Sequence, residues 1–175
     1  PTKAAKQVSL TELGSISIDK DERKKMLKTI PRTSIIGFII GVLPGAGATI
    51  ASFLAYGMER NLVKDEEKEK FGKGSVHGLA APETANNAAC SGAFVPLLTL
   101  GIPGSGTTAV MLGALLGFGI QPGPRLYITN PEIFWSVIMS MYVGMVILLI
   151  LNLPLIPYIA RILAVPKNYL IPLIL

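Results

Sequence analysis

The chain has few of the residues that build metal, redox or catalytic sites. Its 175 residues include one cysteine, Cys90, and one histidine, His77. A lone cysteine excludes a disulfide within the chain and any cysteine-based metal cluster, and a lone histidine cannot build a histidine metal site by itself. No nucleophile–base set is visible either. We therefore expect no enzyme activity, no cofactor and no resident metal.

Charge is also scarce, and it is unevenly distributed. Half of the residues are hydrophobic and 15% are charged, and no Asp, Glu, Lys or Arg occurs from Thr84 to Pro124. Thirteen of the 16 basic residues lie at or before Lys73. The net charge of +5 could indicate nucleic-acid binding. However, the basic residues flank apolar segments, as in cytoplasmic loops of membrane proteins. The composition predicts an all-α, multi-pass membrane protein that does not bind nucleic acid.

The first part of the chain predicts a loop and a hairpin. Residues 1–33 are polar and basic, and we interpret them as a cytoplasmic loop with a short helix limited by Pro31. A membrane-embedded segment, residues 34–175, follows. Residues 35–58 carry no charge but are interrupted near their middle, and basic residues flank both ends. Because positive residues mark the cytoplasmic side, both ends belong there, which predicts a re-entrant helical hairpin.

The remaining segments alternate between linkers and spans. Residues 59–74 have charges of both signs and predict a cytoplasmic linker. Residues 75–120 predict a broken helix, or alternatively two elements, with interruptions at Pro82 and at residues 103–106. After a short external loop, residues 132–153 predict a transmembrane helix, because they are apolar and long enough to span a bilayer. The start of a further span at residues 169–175, where the chain stops in a hydrophobic run, leads us to expect a segment of a longer protein.

Two of the apolar segments are interrupted by the same pattern, Pro-Gly-x-Gly. Residues 43–49 and 102–108, here called the first and second tip motifs, align without gaps at an offset of 59 positions. Paired interruptions of this kind indicate a binding site in transporters. A broken helix exposes unpaired N–H groups and a positive dipole end that attract carboxylates, and its freed carbonyl groups can hold a cation. The alternative is that these residues only kink helices and allow close packing.

From the tip motifs we predict a set of residues that bind substrate and a coupling ion such as Na⁺. Glycine lets the backbone approach a ligand closely, and the hydroxyl groups add donors and acceptors. The predicted residues are Gly45, Ala46, Gly47, Thr49, Gly104, Ser105, Gly106, Thr107 and Thr108.

A polar patch interrupts the charge-poor region. Glu83 is the only carboxylate between Glu69 and Glu132, and Asn86 and Asn87 follow it closely. One interpretation is a further part of the substrate or ion site, since a carboxylate within the membrane needs a partner or a cavity. The other is a helix start, with Pro82 at the first helical position and Glu83 at the positive dipole end. The two interpretations are compatible.

Three stretches resemble one family of membrane proteins. GVLPGAGATIASFLAY (residues 41–56), AAPETANNAA (residues 80–89) and VPLLTLGIPGSGTTAVMLGA (residues 95–114) are similar to the TctA family. This family comprises the large membrane subunits of tripartite tricarboxylate transporters. The resemblance implies a multi-pass protein of the bacterial inner membrane, with a small membrane subunit and a periplasmic substrate-binding protein as partners. It also implies uptake of citrate or related organic carboxylates, driven by a Na⁺ or H⁺ gradient.

Two other functions remain open from the sequence. The chain could belong to a membrane scaffold that only anchors a partner subunit, or to a channel. An anchor would not need two tip motifs, and a channel would show no saturable uptake.

Overall fold

The structure, a computed structural model, describes residues 18–160, and all regular secondary structure in that range is helical. This confirms the predicted all-α class. Residues 18–138 form one compact unit, while the part of the last helix from Met139 to Ala160 belongs to a second unit. The helices are α1 Lys20–Val42, α2 Gly47–Leu62, α3 Asp65–Lys68, α4 Val76–Gly92, α5 Phe94–Leu100, α6 Gly106–Gly117, α7 Leu126–Thr129 and α8 Pro131–Ala160.

Helices α1, α2 and α4 form a three-helix bundle. Ideal side chains on Gly37 and Gly41 of α1 would collide with the backbones of Ala85 and Ala89 of α4. The two helices are therefore parallel, and the contact between them repeats every four residues. Helix α2 runs the opposite way, because the turn at residues 43–46 reverses the chain. The tip motifs lie at one end of this bundle, the tip end, and we call the opposite end the base.

The bundle core consists of very small residues. The alanines of α2 and α4 that face it are almost completely buried, and glycines of α1 lie against them. Such stripes of small residues allow helix backbones to approach closely in membrane proteins, where dispersion contacts rather than hydrophobic transfer hold helices together. The buried alanines of this core are Ala51, Ala55, Ala81, Ala85 and Ala89.

The first hairpin is longer than predicted. Its turn falls at the expected place, but α1 begins at Lys20 and continues through Pro31, which we expected to limit the helix. The expectation was wrong because Pro31 lies on the exposed side of α1, while Thr29 and Thr33 on the opposite side are fully buried. The Thr33 hydroxyl also donates to the Thr29 carbonyl at 2.9 Å. Packing on the buried side offsets the hydrogen bond that proline removes. The predicted short helix is thus the first part of one helix that continues into the apolar segment.

Residues 75–120 contain three helices, α4, α5 and α6, rather than one broken helix or two elements. Pro82 does not interrupt α4 and does not begin it. The helix starts six positions earlier, where the Ser75 side chain caps it by accepting a hydrogen bond from the Gly78 N–H at 3.1 Å. The helix-start interpretation of Pro82 and Glu83 is therefore wrong. The real interruption follows α5, where Gly101 adopts a left-handed conformation with φ of 70°.

Helix α8 is also longer than the predicted span of 132–153. It runs from Pro131 to Ala160 and includes Pro154, which we expected to lie beyond its end. The stretch Pro131–Ile156 has a mean hydropathy of 2.4. Within residues 18–160, this is the one helix that is long and apolar enough to cross a bilayer by length and composition. The predicted further span at residues 169–175, like residues 1–17, lies outside the described residues.

Candidate functional site

The two tip motifs begin two helices at equivalent positions. Helix α2 starts at Gly47 and α6 starts at Gly106, so the helix starts have the same offset of 59 positions as the motifs themselves. The first N–H groups of any helix have no carbonyl partner within it. In each motif, the second glycine thus brings unpaired N–H groups to the beginning of a helix.

Both helix starts line one cavity of about 660 Å³. The first motif contributes its two glycines and the first residues of α2, and the second contributes its whole Pro-Gly-Ser-Gly stretch and the first residues of α6. One residue each from α4 and α5 completes the wall. The lining residues are Gly45, Gly47, Ala48, Thr49, Cys90, Phe94, Pro103, Gly104, Ser105, Gly106, Thr107, Thr108 and Ala109.

The described wall of this cavity is neutral. None of its residues is an acid, a lysine, an arginine or a histidine. Its polar groups are hydroxyls, the backbone N–H groups of the two helix starts and backbone carbonyls. Positive potential toward an anion therefore comes from peptide dipoles, which amount to about half an elementary charge at each helix start. An anion bound here is held by neutral donors.

The two helix starts are not capped in the same way. Ala46, the residue before α2, has no side chain that could cap the helix, so the first N–H groups of α2 keep no side-chain partner. At α6, Ser105 and Thr108 form a reciprocal capping box. The Thr108 N–H donates to Ser105 Oγ at 3.3 Å, and the Ser105 N–H donates to Thr108 Oγ1 at 2.8 Å. The Thr108 hydroxyl also donates to the Ser105 carbonyl at 2.9 Å, so it is occupied.

The hydroxyls of Thr49 and Thr107 differ from that of Thr108. Both side chains are exposed at the cavity, and neither hydroxyl makes a hydrogen bond to another described residue. Thr108, in contrast, is 2% exposed. Among the three threonines predicted for the site, Thr49 and Thr107 are thus the ones with free donors, while Thr108 shapes the start of α6.

The glycines of the tip motifs also fall into two groups. Gly45, Gly47 and Gly106 line the cavity, and an added Cβ atom would meet no heavy atom within 4 Å at any of them. Gly45 and Gly47 have φ angles of 83° and 68°, a conformation that residues with a side chain rarely adopt. Gly104 instead lies close to Ala93, the residue before α5. A Cβ atom added at Gly104 would lie 3.2 Å from the Ala93 Cβ atom.

The polar patch does not join this cavity. Asn86 lies behind the first tip, where its Nδ2 donates to Ser52 Oγ at 3.3 Å, and Ser52 Oγ donates to the Ala48 carbonyl at 2.9 Å. Asn87 is exposed and donates to the Glu83 carbonyl in its own helix. Glu83 is also exposed and lines a separate groove between α1 and α4. The structure thus brings the two tip motifs together and leaves Glu83 and Asn87 apart from them.

The sequence analysis missed a buried polar cluster at the base of the bundle. Glu59 belongs to α2 and is fully buried, whereas the sequence predicts it at the start of a cytoplasmic linker. Arg32 donates to both of its carboxylate oxygens, with Nε–Oε2 at 3.1 Å and Nη2–Oε1 at 2.6 Å. Thr29 Oγ1 lies 2.9 Å from Glu59 Oε1, and His77 Nδ1 lies 3.0 Å from the same oxygen. These four residues, here called the base cluster, connect α1, α2 and α4.

The geometry of the base cluster fixes its hydrogen bonds. Glu59 as a carboxylate can only accept. If Thr29 donates to Glu59, then His77 Nδ1, which is 2.8 Å from Thr29 Oγ1, must carry the proton and donate. No buried polar side-chain atom among the described residues is left without a partner. The cluster is therefore fully satisfied and works as a polar connection between three helices.

Comparison with known proteins gives a consistent result. The whole chain, residues 1–175, matches the model of the tripartite tricarboxylate transporter TctA family. It is 41% identical over 169 residues to an uncharacterized 52.8 kDa protein in the TAR-I ttuC' 3' region of Agrobacterium vitis. That match covers 97% of this chain and 33% of the relative.

A second relative is shorter. The chain is 46% identical over 138 residues to an uncharacterized protein in the TAR-II ttuC' 3' region of the same organism, which covers 79% of this chain and 56% of the relative. The chain thus spans between a third and somewhat more than half of these relatives. No solved structure matches it.

Proposed function

Because the chain belongs to the TctA family of tripartite tricarboxylate transporters, we propose that the cavity between its two tip motifs binds an organic carboxylate during uptake across the membrane. The observation that carries this proposal is that both motifs begin a helix at the same cavity. The family consists of membrane proteins, and the long apolar helix α8 is consistent with that setting. Citrate and related carboxylates are the substrates we propose.

The size and chemistry of the cavity suit such a ligand. Pockets for small molecules have volumes of about 300–1,000 Å³, and the cavity of about 660 Å³ falls within that range. A helix start contributes up to about 2 kcal/mol toward an anion in a partly buried geometry. Two helix starts and the free hydroxyls of Thr49 and Thr107 together can replace part of the water that a di- or tricarboxylate loses.

The coupling ion is Na⁺ or H⁺, and the neutral wall favours Na⁺ at this cavity. A proton needs a titratable group to carry it, and the described wall contains Cys90 but no carboxyl or imidazole group. Na⁺ instead needs oxygen ligands, which hydroxyls and the backbone carbonyls of the tip motifs can supply. The substrate carboxylate itself would provide the balancing charge.

The complete transporter requires partners that we infer from the family. We propose that the full subunit lies in the bacterial inner membrane with several spans. It would act with a small membrane subunit and a periplasmic protein that delivers the substrate. The alternatives are a non-transporting membrane scaffold and a channel.

The experiment that tests this function measures uptake of radiolabelled citrate by vesicles that contain the complete complex, with Na⁺ and pH gradients imposed separately. We expect saturable uptake that the Na⁺ gradient drives. The absence of uptake would favour the scaffold, and uptake without saturation would favour the channel. Uptake driven only by the pH gradient would contradict the assignment of Na⁺.

A matched pair of glycines locates the site in the same assay. Gly106→Ala adds a methyl group at a residue that lines the cavity, whereas Gly113→Ala adds the same group to α6 at a residue outside the cavity, and the described residues leave open space at both positions. Neither glycine has a positive φ. We expect Gly106→Ala to weaken substrate affinity by about tenfold, roughly 1.4 kcal/mol, and Gly113→Ala to leave it unchanged. Equal effects of both changes would contradict a site at the tips.

A further inference from the structure

A second cavity, of about 430 Å³, lies at the base of the bundle, far from the tip motifs along the helices. Its wall includes one side of the first turns of α1, the end of α2 and part of α3. The base cluster forms its inner boundary, because Arg32, Glu59 and His77 line it. Since each of these three side chains has partners in the cluster, this inner boundary is held in place.

Positive charge predominates in this cavity. Five lysine or arginine residues and three carboxylates line it. All three carboxylates already have cationic partners. Glu59 pairs with Arg32, while Asp21 and Glu67 both pair with Lys25 at 2.9 and 3.2 Å. Side-chain hydrogen bonds raise the pKa of Lys25, and the bond with Asp21 contributes more than the bond with Glu67.

Three lysines of the cavity have no ionic partner among the described residues. Lys24 and Lys28 lie one helical turn apart on α1, and Lys64 lies between α2 and α3. None of the three makes an ion pair or hydrogen bond to another described side chain. They are therefore available for an external anion that the cavity can hold.

The exposed surface of the bundle changes from basic to apolar at the level of this cavity. On α1, the exposed residues of the first turns are mostly charged, whereas Ile35, Phe38 and Ile39 are 62%, 44% and 57% exposed. On α2, the exposed apolar residues Ile50 and Phe53 precede the basic end of the helix. In a membrane protein such a boundary marks the level of the lipid headgroups, where lysine side chains reach the interface.

We propose that this basal cavity binds the phosphate group of an anionic phospholipid. The free ammonium groups of Lys24, Lys28 and Lys64 contact the phosphate, and the acyl chains lie along the apolar surfaces of α1 and α2. The bound lipid would hold the base of the hairpin at the cytoplasmic surface. This inference depends on the membrane setting of the family but not on which substrate is carried.

The test uses the purified full-length subunit in detergent and measures its melting temperature. The added probes are short-chain phosphatidylglycerol, short-chain phosphatidylcholine and inorganic phosphate. A ligand that binds only the folded state raises the melting temperature by an amount that grows with the logarithm of its concentration once this exceeds the Kd. We expect phosphatidylglycerol to give a concentration-dependent rise at concentrations where phosphatidylcholine and inorganic phosphate give none, and we expect the rise to weaken with salt.

Charge variants assign the effect to the cavity. Each lysine near an anionic lipid surface contributes enough to change affinity by about fivefold. We therefore expect Lys28→Gln and Lys64→Gln each to raise the Kd for phosphatidylglycerol, obtained from the rise in melting temperature, about fivefold. The control Lys73→Gln removes the same charge from an exposed position outside the cavity and should have no effect. Glu67→Gln should have the opposite effect and lower that Kd, because it removes a negative charge from the cavity and leaves Lys25 paired with Asp21 alone.

The possible outcomes separate the two sources of phosphate. If inorganic phosphate stabilises the protein as well as phosphatidylglycerol does, the ligand is a soluble phosphate and the lipid proposal is wrong. The proposal is also wrong if both lipids act alike or if Lys73→Gln weakens the effect as much as the cavity variants. About fivefold weaker binding in Lys28→Gln and Lys64→Gln, with tighter binding in Glu67→Gln, would support it.

Discussion

The two ends of the three-helix bundle offer different chemistry for anions, although the same helices build both. At the tip end, the described cavity wall carries no charged side chain and relies on helix starts and hydroxyls. At the base, lysines, arginine, glutamates and a histidine line the cavity. The difference follows from the environment we propose. A charged side chain deep in a bilayer costs about 2.5–3.5 kcal/mol, whereas peptide dipoles carry no net charge.

The comparison shows how one packing scheme can serve both ends. Small residues along α1, α2 and α4 hold the helices at close distance between the cavities. The base cluster then fixes the helices at one end, and the turns of the tip motifs end them at the other. The spacing of the tips consequently depends on the core and the base, which can be tested separately.

The largest effect on the stability of the subunit should come from removing the cation of the base cluster. Arg32→Ala leaves the fully buried Glu59 carboxylate without its cation, which costs about 3–5 kcal/mol in buried pairs. We expect a large fall in the melting temperature of the full-length subunit. Arg60→Ala, an exposed neighbour on α2, should change stability by less than about 0.5 kcal/mol.

A double variant sharpens this test. Arg32→Met combined with Glu59→Gln leaves no buried charge, and should be more stable than Arg32→Ala alone. If Arg32→Ala and Arg60→Ala destabilise the subunit equally, the base cluster does not fix the helices as described.

The next effect comes from the core between the two ends. A Cβ atom at Gly41 would collide with the backbone of Ala89, so Gly41→Ala must push α1 and α4 apart. Overpacking of this kind costs about 1–3 kcal/mol. Gly57→Ala is the matched control, because Gly57 lies within α2 and an added Cβ meets nothing within 4 Å. Since alanine is the better helix former, Gly57→Ala should not destabilise the subunit. A stable Gly41→Ala variant would contradict the close packing of α1 and α4.

The smallest effect should come from the polar patch. Glu83 is exposed and faces a groove between α1 and α4 rather than the tip cavity. We expect Glu83→Gln to change substrate affinity in the vesicle assay by less than about twofold, below roughly 0.4 kcal/mol. A tenfold loss would mean that carboxylate chemistry belongs to the site and would break the contrast between a neutral tip and a charged base.

The sequence predicted the tip end well, because its signals are local. Pro-Gly-x-Gly cannot continue a helix, so the turn at residues 43–46 and the break before α6 were predictable from the residues themselves. The ends of α1 and α8 were not. Pro31 and Pro154 lie within helices, because packing or a long apolar context can outweigh the local cost of proline.

The base cluster was missed because its signal is a spacing rather than a motif. Thr29, Thr33, Gly37 and Gly41 recur every four residues on the buried side of α1. The alanine stripes of α2 and α4 have the same spacing, and one further step along them reaches Glu59 and His77. Residues four apart lie on one side of a helix. Extending the three stripes in this way would have placed Thr29, Glu59 and His77 together.

The central claim, that both tips enclose one substrate, can be tested by protection from thiol labelling. Cysteines are introduced singly at Thr49 and at Thr107, both exposed at the cavity, in a full-length protein that lacks Cys90 and any other cysteine. Gly113→Cys serves as the control outside the cavity. Our account predicts that citrate slows labelling at positions 49 and 107 and leaves position 113 unaffected. Protection at one tip alone would contradict it.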